Sequence, residues 1–180
     1  MKLHEQIQRY YPQYHTIERY PVAQSARIYK VAEEWGVFSN FAQTPLVHEG
    51  VTFDCAERLF HYLKFRPDAD EGKAELMAAK KGQALKMHMK HIYKTHPEWL
   101  RDDWGEIVVD SMKYCLRLKY EQSEVFREAL KRSEGMYIVE DQTLFPGKEA
   151  NSWGVKRIGD EYIGPNLLGR LLMELREKNH

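Results

Sequence analysis

The segment from Cys55 to Phe65, CAERLFHYLKF, constrains the fold of this chain more than any other. Its polar members Glu57, His61 and Lys64 are spaced at i, i+4 and i+7, so a helix would place them on one stripe. Leucines and phenylalanines occupy most of the other directions, which predicts a helix that is buried on nearly all sides. Acidic and basic side chains are rarely buried without a partner or a function. We therefore expect this stripe to form one wall of an active site.

Two structural interpretations of the same residues stay open. Asp54 stands where a helix N-cap is typical and Glu57 follows at the third position, which resembles a capping box. The Glu57 carboxylate would then accept a bond from a backbone N–H. Alternatively, Glu57 and Lys64 form a buried structural ion pair.

Length and charge describe the class of protein. A chain of 180 residues with 43% hydrophobic and 30% charged residues is long enough for one globular domain with a sizeable core. Lys+Arg and Asp+Glu both number 27, so no overall field attracts nucleic acid or an anionic membrane. Basic residues are concentrated in one segment of the chain, which fits either a solvated helix face or a phosphate-binding surface. These residues are Lys80, Lys81, Lys86, His88, Lys90 and His91.

No cofactor, metal or membrane is expected. Cys55 and Cys115 lie in apolar helical segments and are predicted to be buried free thiols. The sequence lacks a CxxC motif, a close Cys/His spacing and a Gly-rich phosphate loop, which disfavours zinc, ATP and NAD sites. No run of about 18 apolar residues occurs, so we expect a cytoplasmic protein without membrane contact.

Periodicity and turn residues predict a mainly helical α+β fold in a single compact domain. The predicted helices cover 71–92 with a break near Gly82, 104–119, 123–132 and the segment after Asn166, and the predicted strands cover 27–31, 51–53 and 136–140. Residues 141–166 are predicted to be a long functional loop. Residues 1–27 are interpreted as an extension, with a short amphipathic helix before Pro12, that packs on a domain formed by residues 28–180.

Three separated motifs resemble those of the NADAR family, also called the YbiA-like proteins. They are Phe38-Ser39-Asn40-Phe41, then Ala56-Glu57 with Lys64-Phe65, then Trp153-Gly154 followed by the segment Asn166 to Arg176. Trp104, ahead of a helix that bears Met112 and Lys119, matches the middle segment of the family. The resemblance covers about residues 28–178.

The resemblance implies a compact, helix-rich α+β domain that hydrolyses the bond between ribose C1′ and a nitrogenous base. Some members resemble enzymes that release ribose 5-phosphate from early riboflavin-pathway intermediates, and others remove ADP-ribose from guanine in nucleic acid. It supports Lys64 as a nucleophile that attacks C1′ and forms an imine, with Glu57 as the second catalytic residue. Attack by water, with Lys64 as an electrostatic clamp, is the alternative. His61 receives no role from the family.

The substrate-binding candidates are asparagines that can contact a base edge or ribose hydroxyls, aromatic residues that can stack on a base, and their small neighbours. Core packing is the alternative for each aromatic residue. The candidates are Phe38, Ser39, Asn40, Phe41, Trp104, Asn151, Trp153, Gly154 and Asn166.

The chain departs from the riboflavin-type pattern just before Trp153. Those members tend to carry an Asp there, whereas this chain has Glu149-Ala150-Asn151-Ser152, so either Glu149 or Asn151 fills that role or the base pocket differs. The departure favours removal of ADP-ribose from guanine, with DNA that carries the modified base as the partner. The alternatives are a riboflavin-type substrate, that is, a ribosylated pyrimidine, and a non-catalytic module that binds ADP-ribose or a nucleotide.

Overall fold

The computed structural model describes residues 1–179. Its elements confirm the predicted mainly helical α+β class. In chain order they are α1 (Leu3–Tyr10), β1 (Glu18–Pro21), β2 (Ser25–Ile28), β3 (Leu46–His48), β4 (Val51–Phe53), α2 (Ala56–Tyr62), α3 (Asp70–Ala78), α4 (Gln83–Thr95), α5 (Trp104–Gln122), α6 (Glu124–Arg132), β5 (Tyr137–Glu140), β6 (Lys156–Ile158), β7 (Glu161–Gly164) and α7 (Leu167–Lys178).

Contacts divide the chain into two compact units. Unit 1 comprises residues 1–39 and the chain from Glu124 onward, and unit 2 comprises Asn40–Ser123. In unit 1 the strands β1, β7 and β6 form an antiparallel sheet in that order, and β2 pairs with β5 in parallel. Helix α7 packs against β5. The apolar cluster beside the three-stranded sheet is built from Tyr20, Val139, Val155 and Tyr162.

Unit 2 holds the segment that the sequence singled out. Its strands β3 and β4 form an antiparallel hairpin, α2 packs against both α5 and α3, and α3 packs against α4. Helix α4 places Leu85, Met89 and Ile92 on one stripe because they follow the i, i+4, i+7 spacing, and all three are buried. They complete a core cluster whose other buried members are Cys55, Phe65, Ala69 and Leu76.

The prediction that residues 141–166 form one long loop is wrong for the second half of that segment. Strands β6 and β7 lie there, joined by the two residues Gly159 and Asp160. Gly159 has φ of 61°, a left-handed conformation that glycine adopts without strain and that tight hairpin turns require. The strands have three and four residues, so alternation within them is too brief to reveal their period.

The other strand predictions were partly right. The structure confirms β4 and β5, while the strand expected at 27–31 lies at Ser25–Ile28. β1, of four residues, and β3, of three, were not predicted. In the N-terminal region the expected helix is present as α1, whose Ile7 is buried, and Pro12 follows it.

Residues 1–27 also supply strands: β1 pairs with β7, and β2 begins at Ser25 and pairs with β5. The division into an extension of 1–27 and a domain from residue 28 stays a prediction. No helix within residues 1–179 combines the length and apolar character needed to cross a bilayer.

Candidate active site

Helix α2 begins one residue later than the capping-box interpretation requires. Its N-cap is Cys55, and Glu57 is the second residue of the helix. Asp54 instead binds the Arg58 guanidinium through both carboxylate oxygens, at 2.6 and 3.1 Å. The capping-box prediction is therefore wrong, because Asp54 pairs with Arg58 and does not cap the helix.

The start of α2 is tied to Asn40 through the backbone. The Glu57 N–H donates to the Asn40 carbonyl oxygen at 2.9 Å. The Asn40 side chain is 7% exposed and donates through Nδ2 to the Met112 sulfur at 3.4 Å. Its Oδ1 is buried and has no hydrogen-bond partner among residues 1–179. Asn40 therefore places an unpartnered acceptor near the start of α2, and its role in substrate binding stays a prediction.

Glu57 and His61 meet one helical turn apart. The Glu57 Oε1 lies 3.1 Å from the His61 Nε2, and both side chains are nearly buried. Both ring nitrogens of His61, Nδ1 and Nε2, are buried and lack an aligned hydrogen bond in the described chain, so Nε2 meets the carboxylate as a close contact. The family resemblance gave His61 no role, and the structure places it in direct contact with the carboxylate.

The charge states of this pair follow from burial and neighbouring charges. Burial is the strongest single influence on Glu57 and raises its pKa, but His61, Lys64 and Lys86 together outweigh it and hold the pKa below its usual range. Burial lowers the pKa of His61, and the charge of Lys64 lowers it further against the opposing effect of Glu57. At neutral pH the pair is a carboxylate beside a neutral imidazole.

Lys64 lies beyond the end of the helix. α2 ends at Tyr62, so Lys64 lies in the following turn. The prediction that one helix carries Glu57, His61 and Lys64 on a continuous stripe is therefore wrong for Lys64. The Lys64 carbonyl oxygen accepts from the Arg101 N–H at 2.9 Å, and the Arg66 N–H donates to the Trp99 carbonyl at the same distance. This short antiparallel pairing draws the chain out of helical geometry and fixes the backbone of Lys64.

The Lys64 ammonium is surrounded by aromatic rings. Its Nζ lies 4.9 Å from the ring centre of Phe60, 5.5 Å from that of Trp104 and 5.8 Å from that of Tyr93. It also donates to the Tyr93 hydroxyl at 3.2 Å. Ring faces attract a cation electrostatically. Trp104 thus lies next to the proposed nucleophile, and its role in substrate binding stays a prediction.

Helix α4 contributes two site residues that sequence reasoning did not single out. Lys86 acts electrostatically on Glu57 and His61, and its Nζ lies 4.9 Å above the Phe41 ring. Tyr93 stands seven residues later on the same side of the helix. The signal was present, since Lys86 belonged to the basic cluster, but periodicity alone did not show which lysine turns inward.

A second lysine of unit 2 is fully buried. Lys119 on α5 is 0% exposed, and burial lowers its pKa to about 7. Cys55 and Cys115 are buried free thiols, as predicted, and burial raises the pKa of Cys55 to about 11. Within residues 1–179, no three His, Cys, Asp or Glu side chains are grouped as metal ligands are.

The remaining candidates lie in unit 1 and hold its backbone together. Phe38 is fully buried and stacks on Trp35 at 5.7 Å between ring centres, while Ser39 beside it is partly exposed. Asn166 is also fully buried. Its Oδ1 accepts from the Glu140 N–H at 3.1 Å and its Nδ2 donates to the Ile138 carbonyl at 2.9 Å, which connects the start of α7 to β5.

The turn before Trp153 is built by Asn151. Its Oδ1 accepts from the Trp153 N–H at 2.9 Å and from the Gln142 side chain at 2.8 Å. A Cβ at Gly154 would lie 2.5 Å from the Glu140 carbonyl oxygen, so only glycine fits there. Both Glu149 and Asn151 line a cavity of about 410 Å³ within unit 1. Roles of the unit 1 residues in substrate binding stay predictions.

Comparison with known proteins agrees with the motifs. Residues 27–179 match the model of the NADAR domain. The chain belongs to the NADAR family. It is 30% identical over 155 residues to "N-glycosidase YbiA" of Escherichia coli (strain K12). The aligned region covers 83% of this chain and 85% of that protein. The NMR structure of E. coli YbiA superposes with a TM-score of 0.67 at 29% identity, and covers 87% of this chain and 84% of that one.

A more distant relative carries a different name. The chloroplastic riboflavin biosynthesis protein PYRR of Zea mays is 29% identical over 161 residues, which is 83% of this chain but 24% of that longer protein. The similarity to this chain is therefore confined to about a quarter of that longer protein.

The electrostatic coupling of Lys86 to Glu57 can be measured directly. In the Lys86→Met variant, we expect the pKa of the Glu57 carboxyl to rise, because a positive charge that stabilises the carboxylate has been removed. Carboxyl ¹³C NMR across a pH titration reports this pKa. Lys90→Met, an exposed lysine one turn further on the same helix, is the matched control and should leave the pKa of Glu57 unchanged. Equal titration curves for wild type and Lys86→Met would show that Lys86 does not act on the carboxylate.

Proposed function

We propose that this protein removes ADP-ribose from ADP-ribosylated guanine in nucleic acid by hydrolysing the bond between ribose C1′ and the base. The reaction class is hydrolysis of an N-glycosyl bond, the activity that the YbiA relatives carry in their name. The observation that supports it best is the cluster in unit 2: the Glu57 carboxylate lies 3.1 Å from His61, under the influence of Lys64 and Lys86.

Glu57 supplies the negative charge that this reaction needs. Cleavage of the C1′–N bond develops positive charge on the sugar, and a fixed carboxylate stabilises that charge best where water is excluded. The depressed pKa of Glu57 keeps it ionised at neutral pH. In this state it accepts a proton, either from an attacking water or from Lys64, and it then gives that proton to the leaving base.

Lys64 supplies the nucleophile. Its ammonium first gives up a proton to Glu57. The free Nζ electron pair then bonds to C1′ while the C1′–N electron pair leaves with the base, which takes that proton from the Glu57 carboxyl. Ring opening of the ribose gives an imine, and water hydrolyses the imine to release ADP-ribose and restore the amine. In the alternative route, Lys64 stays an ammonium that binds phosphate, and Glu57 activates the water.

The charge of the cluster supports a diphosphate-bearing substrate. Two lysines, Lys64 and Lys86, act electrostatically on one carboxylate, and His61 is neutral at neutral pH. The excess positive charge matches the pyrophosphate of ADP-ribose. The buried, unpartnered Oδ1 of Asn40 offers an acceptor for a donor group of the base or the ribose.

One observation favours a second substrate class. Two relatives, from Zea mays and Vibrio vulnificus, are named for riboflavin biosynthesis. A ribosylated pyrimidine that bears a 5-phosphate presents the same C1′–N bond and one phosphate, so the same residues would act on it. The comparison of substrates below decides between the two classes.

Release of the sugar tests the function. Wild-type protein incubated with ADP-ribosylated guanosine is expected to release ADP-ribose, measured by chromatography with mass detection. Glu57→Gln should lower kcat by a factor of about 10² to 10⁴, because it removes the proton acceptor. Glu71→Gln, an exposed glutamate in the first turn of α3, is the control and should retain full activity.

The other outcomes of that assay are equally informative. Release only of ribose 5-phosphate from a riboflavin-type intermediate would overturn the ADP-ribose assignment and keep the reaction class. Tight binding of ADP-ribosylated guanosine without turnover of either substrate would indicate a non-catalytic binding module.

The role of Lys64 has its own chemical test. Borohydride added during turnover reduces an imine to a stable amine, so the intact protein should gain the mass of the sugar moiety in mass spectrometry. Lys64→Arg should abolish this adduct. Lys73→Arg is the control and should keep it, because the Lys73 Nζ donates to the Pro67 carbonyl in an exposed hydrogen bond. Full turnover of wild type with no adduct would favour attack by water.

A further inference from the structure

Positive charge is concentrated in one segment of an otherwise balanced chain. Residues 76–97 contain five lysines and three histidines and no aspartate or glutamate, although Lys+Arg and Asp+Glu both total 27 over the whole chain. α4 occupies most of this segment. Its acid-free composition contrasts with an ordinary solvated helix face, on which charges of both signs alternate.

The lysines of α4 form a line along the helix. Lys86, Lys90 and Lys94 follow one another at four-residue intervals, so each step is about 6 Å along the axis. Lys90 and Lys94 are exposed and make no ion pair within residues 1–179. Like charges at i, i+4 weaken a helix. The exposed pair Lys90 and Lys94 therefore costs stability unless an anion lies over it.

This line leads to the candidate active site. Lys86, at its first position, acts on Glu57, and the hydroxyl of Tyr93 accepts from the Lys64 Nζ at 3.2 Å. Tyr93 is 48% exposed, and its ring centre lies 5.8 Å from the Nζ of the proposed nucleophile Lys64. The same helix thus joins an exposed row of cations to the groups that do the chemistry.

We propose that Lys86, Lys90 and Lys94, here called the α4 lysine line, bind successive phosphates of single-stranded nucleic acid, with Tyr93 contacting the base next to the modified guanine. This inference rests on the proposed function, because it supplies the strand that carries the substrate. Lysines bind phosphates as point charges and carry no base-edge readout, which fits a sequence-independent track. A base that undergoes chemistry must be out of a duplex stack, and an exposed ring offers its neighbour a stacking surface.

Salt dependence tests the inference without requiring catalysis. Wild type is titrated with a fluorescent, unmodified single-stranded DNA, and anisotropy gives the affinity over a range of NaCl concentrations. For Lys90→Gln with Lys94→Gln, we expect the slope of log K against log salt to fall by about 1.4, which corresponds to roughly 25-fold weaker binding at about 0.1 M salt. The control, Lys131→Gln with Lys178→Gln, removes two exposed lysines from α6 and α7 and should match wild type.

Three results would overturn the α4 lysine line as a nucleic-acid track. The first is the absence of measurable DNA binding by wild type, and the second is an equal loss of affinity in the control variant. The third is displacement of the DNA by poly-glutamate at matched charge, which would indicate an acidic protein partner instead.

The inference and the proposed function fail separately. In the Lys90/Lys94 variant, we expect KM for an ADP-ribosylated oligonucleotide to rise relative to KM for ADP-ribosylated guanosine. If guanosine is hydrolysed but the ratio of the two KM values does not change, the lysine line is wrong and the function stands. If neither substrate is hydrolysed while DNA binding depends on Lys90 and Lys94, the function is wrong and the lysine line stands.

Discussion

The negative charge of Glu57 is the constraint on which the rest of unit 2 depends. A nearly buried carboxylate is unfavourable unless opposite charges or donors surround it. Here His61 lies on the next turn of the same helix, Lys64 in the turn after it and Lys86 on α4. Three separate pieces of the chain must therefore reach their places before the carboxylate can be buried in its ionised form.

The same arrangement prepares the site for catalysis. Two cations around one anion leave an excess of positive charge for a phosphate-bearing substrate, while the carboxylate remains available to the cationic sugar of the transition state. The aromatic rings of Phe60, Tyr93 and Trp104 hold the Lys64 ammonium in place when no substrate is bound. Backbone pairing of residues 64–66 with 99–101 fixes that lysine more firmly than a frayed helix end would.

Local patterns predicted what depends on local contacts. The amphipathic spacing of α4 and α7 and the proximity of Glu57 to His61 follow from helical periodicity, and the structure contains them. The end of α2 at Tyr62 was not predictable in this way, because it depends on pairing with a segment far along the chain. The inward turn of Lys86 likewise depends on how α4 packs in the core of unit 2. Asn166 shows the converse, since a polar residue proposed to bind substrate is fully buried with its amide bonded to two backbone groups.

The most direct measurement for this account is a crystal structure of the Glu57→Gln variant with ADP-ribosylated guanosine bound. The account predicts that the ribose C1′ lies within about 3.5 Å of the Lys64 Nζ, a distance suited to attack, and that the glutamine at position 57 borders the same sugar. A ligand bound with C1′ remote from both Glu57 and Lys64 would contradict the assignment of this cluster as the site of N-glycosyl bond cleavage.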